Sequence, residues 1–380
     1  MKFDTTRAME LADAFALDRR AVAASVTFLK ESGFEIDRGR VFGPQTRWIA
    51  FWRIGLPWLG FFLVYFLGTI GHVGRGLSLP VRVGLMTAGP AWLFLSPLAL
   101  VPLGRRWGKC FESETVAARR RTAIDPPVRV VFVTPLDAPP GVLPGRPLKL
   151  ARVAVIALAT VMMVNLTLPR PVTVSARKVV LTVAMAFNAA VCVVIYQRNP
   201  IRPVAGELDN RDGLATLFGM ARAWPRVNDH RVETRFAAAG GQTLDLAGLR
   251  ELVRQVRHEW EKKPTLVVGF WSPGIGERLT LASPSARLES LATDAANGLW
   301  VPHRSTQEVL LWSDLWPFGD ADPGFVALIG ESSGPPTIDP EAMRRSAQLA
   351  AEIALRWARQ ATADAQDSSL NRDRSSQNPG

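Results

Sequence analysis

The sequence predicts an α/β domain with a mostly parallel central sheet, interrupted by two transmembrane helical hairpins. Residues 197–361 alternate β-branched apolar runs with amphipathic helical patterns, which is typical of a parallel sheet covered by helices. Four long apolar runs, arranged in two close pairs, lie between charged segments. Runs of this length and composition indicate membrane-spanning helices.

The 380-residue chain is basic and rich in apolar residues. Hydrophobic residues make up 48% of it and charged residues 21%, and the net charge is +11. Lysine and arginine crowd beside the apolar runs, so they indicate membrane flanks, and we expect no nucleic-acid partner. Cys110 and Cys192 stand in unrelated contexts, which excludes a disulfide framework and a cysteine metal cluster. No N-terminal signal peptide is visible.

The apolar runs cover about 48–70, 83–103, 151–168 and 179–196. Short connections predict one hairpin over 48–103 and a second over 151–196, although the two shorter runs in the second also fit buried core helices. An even number of crossings leaves the long segments and both termini on one side. Their dense arginine and lysine makes that side cytoplasmic, which predicts a multi-pass protein of the bacterial inner membrane with the lipid bilayer as a partner.

The segments 1–47, 104–150 and 197–361 are predicted to build one discontinuous domain. In the first segment, apolar residues recur at helical spacing before Gly33, which is followed by a short strand; they are Val22, Val26 and Leu29. In the second, "PVRVVFVTPLD" at 127–137 predicts a buried strand.

The third segment alternates helices and strands. One helical face carries Leu214, Leu217, Phe218 and Ala221, and a second carries Leu246, Leu249, Val253 and Val256. The predicted strands are "VETRFAAAGG", "TLVVGF" and "FVALIG", and an amphipathic helix covers 339–359. The polar composition of 362–380 predicts a disordered tail.

Five short motifs follow these elements in order: "VTPLD", "GELDNRDG", "AAGGQT", "VVGFW" and "SDLWPF". Together they resemble the motifs of metallopeptidase family 28, the zinc exopeptidases that include bacterial leucyl aminopeptidases, glutamate carboxypeptidase and glutaminyl cyclases. The resemblance covers roughly 15–44, 112–140 and 200–360. It implies a zinc-exopeptidase-like three-layer α/β/α domain with the hairpins as insertions.

The resemblance implies where metal ligands and a general base would stand in this chain. The ligand positions are Pro135, Asp209, Thr243, Trp271 and Leu315, and the base position is Gln242. Asp209 alone matches a ligand of the family, and Asp137 is also retained. A catalytic zinc site needs about three ligands from His, Asp, Glu or Cys. Glutamine cannot take a proton from water. We therefore expect no zinc, no other cofactor and no catalytic residue.

Other polar residues have structural explanations. Asp212 is predicted to cap the helix that follows it, and Glu207 and Asp209 are predicted to be solvated acids and not a calcium or magnesium site. All four histidines fall outside the ligand positions; they are His72, His230, His258 and His303. Three apolar residues would line the former cleft and either bind an apolar or peptide-like ligand or seal it: Trp271, Leu315 and Trp316.

The leading functional hypothesis is a membrane-anchored, catalytically inactive exopeptidase-like protein that binds or scaffolds a protein or peptide partner. The alternative is an active membrane-bound metallopeptidase, an aminopeptidase with displaced zinc ligands, so enzymatic activity stays open. A transport role is disfavoured because no Asp or Glu lies within the apolar runs.

Overall fold

The computed structural model describes most of the α/β region and parts of the first apolar hairpin. The described residues are 3–17, 21–44, isolated positions between 48 and 64, 78–119, 126–136, 210–224, 232–241, 247–260, 263–307, 324–331 and 337–376. The predicted apolar runs 151–168 and 179–196 lie outside them.

Seven helices and eight strands are formed by these residues. The helices are α1 Thr5–Leu17, α2 Ala21–Glu31, α3 Leu79–Trp107, α4 Arg211–Ala223, α5 Ala247–Trp260, α6 Ala286–Gly298 and α7 Pro340–Ser376. The strands are β1 Glu35–Pro44, β2 Cys110–Arg119, β3 Val128–Pro135, β4 Val232–Ala239, β5 Thr265–Trp271, β6 Arg278–Ala282, β7 His303–Thr306 and β8 Gly324–Glu331.

All eight strands join one mixed sheet in the order β1-β2-β4-β3-β5-β8-β6-β7. Its centre is parallel, because β3 pairs in parallel with both β4 and β5, and β5 pairs in parallel with β8. Antiparallel pairing occurs between β2 and β4 and between β6 and β8. The carboxyl ends of β3, β4, β5 and β8 therefore meet at one edge of the sheet.

Helices cover both faces of the sheet. Alternate residues of β3 face opposite sides: Val130 and Phe132 join the larger core, and Val131 and Val133 join the smaller one. The larger core contains apolar side chains of α1, α2, α4, α6 and α7, and the smaller contains Leu249 of α5. This layering explains why β3 is a nearly continuous apolar run, interrupted by Arg129, as expected for a strand buried on both faces.

The predicted elements within the described residues are present: α2 followed by β1, the buried strand β3, the helices α4 and α5, and the strands β4, β5 and β8. The helices α1 and α6 and the strands β2, β6 and β7 were not predicted from the sequence. The strands β6 and β7 have only 5 and 4 residues, and β2 carries the exposed sequence "CFE" before its buried half. Such elements give weak periodicity.

The predicted disordered tail is corrected for residues 362–376, because α7 continues through Ser376. Extending an existing helix adds one hydrogen bond for each residue fixed, which is far easier than starting a new helix. The exposed ion pair between Arg287 and Asp364, 2.9 Å long, also joins this part of α7 to α6.

The chain divides into two compact units. The first comprises Met1–Phe42, Glu112–Pro139 and Pro203–Gly380, and the second comprises Gly43–Phe111 and Pro140–Arg202. Within the second, α3 contains the predicted apolar run 83–103, and none of its described side chains is buried. In the part of the chain that the structure describes, no helix combines the length and the hydropathy that a membrane crossing requires.

Candidate functional site

The carboxyl ends of β3 and β5 face the start of α4 and form a polar cluster. We call Thr134, Pro135, Asn210, Asp212 and residues 271–274, which comprise the end of β5 and the turn after it, the strand-end junction. In open α/β sheets this edge is where ligands bind, because loops after parallel strands converge there. The junction contains two of the resemblance-based ligand positions, Pro135 and Trp271 at the end of β5.

Asn210 connects the ends of the two strands. Its side-chain amide donates to Thr134 Oγ1 at 2.9 Å and to the Pro135 carbonyl at 2.8 Å. Its Oδ1 accepts the backbone N–H of Ser272 at 2.8 Å. Asn210 is buried, and a Cβ at Gly213 would overlap its side chain and Thr134 Oγ1, so only glycine fits there. Asn210 therefore acts as a structural link between strands.

The turn after β5 is held by both neighbouring helices. Ser272 has a φ of 45°, a left-handed conformation that is uncommon for a residue with a side chain. Ser346 of α7 donates to the Pro273 carbonyl at 2.9 Å, and the Asp339 N–H donates to the Gly274 carbonyl at 2.8 Å. The strained residue thus lies in a turn that is fixed from several sides.

Asp212 is the titratable side chain at the centre of the junction. It is fully buried, and its Oδ2 accepts the Gly274 N–H at 2.7 Å. Its Oδ1 has no hydrogen-bond partner among the described residues. Burial raises the pKa of this carboxyl from 3.8 to about 6, although backbone N–H groups, that of Gly274 first, and the nearby Arg211 charge oppose the rise.

The predicted helix-capping role of Asp212 is corrected by this geometry. The N-cap of α4 is Asn210, and its side chain makes no cap hydrogen bond because it bonds the two strand ends instead. Asp212 lies in the first turn of α4 and reaches across to the turn after β5. In the sequence, Asp212 is an acid in the first turn of a helix with an apolar face, and periodicity alone does not say what such an acid contacts.

Trp271 is packed into the smaller core. Its side chain is 7% exposed, and its ring lies 6.3 Å from that of Phe325 in a T-shaped contact. The ring also lies over Gly269, where a Cβ would overlap it. Within the described residues, Trp271 therefore fills volume and does not line an open cleft. Pro135, at the other position, offers only its carbonyl, which accepts from Asn210.

The remaining candidate residues lie outside the described part of the chain: Asp137, Asp209, Gln242, Thr243, Leu315 and Trp316. Their predicted proximity stays a prediction. His303 is half-buried on β7, and its Nδ1 lies 2.9 Å from the Val301 carbonyl, so it is engaged in its own turn. Among the described residues, no group of three His, Cys, Asp or Glu side chains is arranged to hold a metal ion.

The junction can therefore do two things chemically. It fixes the strand ends through neutral hydrogen bonds, and it holds one carboxyl that gains or loses a proton near pH 6. A general acid or base needs such a pKa, but it also needs a reactant within hydrogen-bond reach. Of the two carboxyl oxygens of Asp212, Oδ2 already accepts a hydrogen bond from the Gly274 N–H.

No protein-family model and no curated protein matches this chain. Solved structures match it in fold. A zinc aminopeptidase from Bacillus subtilis aligns with a TM-score of 0.50 at 12% identity, over 93% of this chain and 95% of that one. A glutaminyl cyclase from Fimbriiglobus ruber aligns with a TM-score of 0.50 at 11% identity, over 93% and 95% of the two chains. At these identities the likeness shows the fold alone, so this chain has an α/β fold like that of zinc aminopeptidases and glutaminyl cyclases.

Proposed function

We propose that this protein is a membrane-anchored, catalytically inactive relative of the zinc exopeptidases that binds or scaffolds a protein or peptide partner. The observation that carries the proposal is the strand-end junction. At the two described ligand positions, Trp271 is packed against Phe325 and the Pro135 carbonyl is bonded to Asn210. Neither side chain has a lone pair for zinc. The sequence adds Thr243 and Leu315, which are poor or impossible zinc ligands, and Gln242 at the base position.

Membrane anchoring is supported by the second compact unit. Large apolar side chains of α3 are exposed: Leu79, Val81, Val83, Trp92, Leu95, Leu103 and Trp107. An apolar surface of this extent is unstable in water and marks contact with a membrane or a partner. Together with the apolar runs of the sequence, it favours the proposed hairpin over 48–103, whereas the hairpin over 151–196 and the cytoplasmic location of the α/β unit and both termini rest on the sequence alone.

The decisive test measures metal content and hydrolysis on the full chain purified in detergent. After dialysis we expect less than about 0.1 zinc per chain, because affinity depends on several convergent ligands. We also expect that the protein neither hydrolyses aminoacyl arylamides nor cyclises the N-terminal glutamine of a peptide. The matched control is Leu315→His, which restores one ligand position and should restore neither zinc nor activity. One zinc per chain with chelator-sensitive hydrolysis would establish the alternative, an aminopeptidase with displaced ligands.

The binding role needs its own test. The full chain in native-lipid nanodiscs should retain one partner reproducibly in chemical crosslinking, with crosslinks on the α/β unit. Crosslinks confined to the apolar segments, or none at all, would contradict a scaffolding role for the exopeptidase-like unit.

A further inference from the structure

Three tryptophan rings form a cluster at the end of α3. Trp52 contacts Trp107 with a centroid separation of 5.6 Å, and it contacts Trp48 at 5.8 Å, both in T-shaped arrangements. Trp48 and Trp52 begin the first apolar run, whereas Trp107 ends α3. The start of the first predicted hairpin therefore meets the end of α3. We call these rings and the neighbouring cations Arg105, Arg106 and Lys109 the interfacial belt.

The rings of the belt are only partly covered. Trp52 is buried, but Trp107 is 66% exposed and Trp48 is also exposed. Exposed indoles at the end of an apolar segment are typical of the level of the lipid headgroups, because the ring is apolar and its N–H needs a polar partner. Both exposed rings contact Trp52.

The cations of the belt are concentrated at the same end. Arg105 and Arg106 lie in the last turn of α3, and Lys109 lies just beyond, 5.7 Å from the ring centroid of Phe111. One cation suffices to offset the negative end of a helix. Three cations beside exposed indoles instead match a layer of negative charge.

We propose that the interfacial belt binds the anionic headgroups of acidic phospholipids, with the tryptophan rings at headgroup level and the three cations on the phosphates. The inference rests on the proposed membrane anchoring and adds a lipid specificity to it. Guanidinium groups pair with phosphate in a planar, two-bonded geometry, and lysine adds a point charge. Near a membrane surface each cation contributes about five-fold to the preference for acidic lipid.

The test uses Cys110, which is exposed and free, as the attachment point of a bimane fluorophore in a Cys192→Ser background. The full chain is reconstituted into phosphatidylcholine vesicles that contain either nitroxide-labelled phosphatidylglycerol or nitroxide-labelled phosphatidylcholine at equal mole fraction. We expect stronger quenching by the phosphatidylglycerol probe, and we expect the difference to shrink as salt is raised because salt screens exposed charges.

The variant R105Q/R106Q/K109Q should lose the preference, by roughly a hundred-fold in relative association if the three effects add. The variant R105K/R106K/K109R keeps the charges and should retain most of it. A matched control, R287Q/R304Q/R356Q, removes three cations from the first compact unit and should leave the preference unchanged.

The outcomes separate the two proposals. Retention in the vesicles after alkaline carbonate washing, with equal quenching by both probes, would overturn the inference and leave the anchoring intact. Release by carbonate would overturn the anchoring and the inference with it. An undiminished preference in R105Q/R106Q/K109Q would show that the belt is not the binding surface.

Discussion

A fully buried carboxylate, Asp212, and a partly buried one, Glu233, lie at opposite edges of the same sheet, and their surroundings differ. Asp212, at the carboxyl ends of β3 and β5, has backbone N–H groups and one nearby arginine charge to oppose its burial, and its pKa rises to about 6. Glu233, near the amino end of β4, is surrounded by cations. Burial by itself raises the pKa of Glu233, but hydrogen bonds from Arg129 and Lys263 and the charges of Arg129 and Arg235 lower it from 4.5 to about 2.

The geometry of the Glu233 cluster explains its opposite behaviour. Arg129 lies 3.0 Å from Glu233 Oε1 and Arg235 lies 2.8 Å from it, and Lys263 Nζ donates to Oε2 at 3.0 Å. Residues 129 and 233 face each other in the parallel register of β3 and β4. Burial raises the free energy of a charge in both places, and the close, opposite charges around Glu233 offset it more than the backbone N–H groups around Asp212 do. The two carboxylates thus differ in their partners as well as in their depth.

The largest expected effect comes from removing Glu233, the acid that is surrounded by cations. Glu233→Gln leaves three cations in a partly buried site without their carboxylate, so we expect a loss of about 3 to 5 kcal/mol in the free energy of unfolding. Denaturant unfolding of the detergent-purified chain at pH 7, followed by tryptophan fluorescence, measures this. A loss below about 1 kcal/mol would mean that the cluster is solvated and the comparison is wrong.

The next largest effect concerns Asp212, whose burial is only partly offset by its surroundings. Because the folded-state pKa of Asp212 lies above its ordinary value of 3.8, its contribution to stability is fully present below pH 3.8 and is lost as pH rises through about 6. The difference between the two pKa values corresponds to about 3 kcal/mol. Asp212→Asn should remove this pH dependence and be at least as stable as the wild type at pH 7.

Unfolding measured from pH 3.5 to 7.5 separates the two sites. Glu233 contributes the opposite trend, since its lowered pKa makes its stabilisation disappear as pH falls from about 4.5 towards 2. A wild-type profile that is flat between pH 4 and 6, or one that Asp212→Asn leaves unchanged, would contradict the assignment to Asp212.

A smaller effect tests the neutral part of the strand-end junction. Asn210→Ala removes the bonds to Thr134, the Pro135 carbonyl and Ser272, so we expect a loss of about 2 kcal/mol. Asn210→Asp is the matched variant: it keeps an acceptor for the Ser272 N–H but loses the donor to the Pro135 carbonyl. Hydrogen exchange at Ser272 should accelerate in Asn210→Ala and less in Asn210→Asp. Equal exchange in both would refute the role of the Oδ1 contact.

The smallest expected effect concerns an ion pair that is exposed to solvent. Glu251 and Arg254 pair at 2.6 Å on the surface of α5, and hydrogen bonds from Arg254 lower the pKa of Glu251. Solvent screens this pair, so Glu251→Gln should cost less than about 0.5 kcal/mol. The test compares the free energies of unfolding of Glu251→Gln and Glu233→Gln, measured under the same conditions. A cost similar to that of Glu233→Gln would show that burial does not distinguish the two ion pairs.

The sequence by itself determined the central elements of the fold. Apolar runs such as 128–135 predict a strand buried on both faces, and the spacing of Leu214, Leu217 and Phe218 predicts the buried face of α4. These signals are local, because a strand or helix repeats its burial pattern along its own length. The edge elements β6 and β7 escaped prediction because their short segments are held by pairing with β8 and with each other.

Only the tertiary structure decided the roles of the polar residues. The sequence places Asn210 and Asp212 two positions apart at a helix start, and both fit a capping role there. In the folded chain Asn210 links β3 to the turn after β5, and Asp212 is buried against Gly274, which lies 62 positions away in sequence. Likewise, the position of Trp271 predicts either a cleft lining or a plug, and its packing against Phe325 makes it part of the core. Partners distant in sequence fix hydrogen bonds, burial and pKa, so these properties depend on the arrangement of the whole sheet.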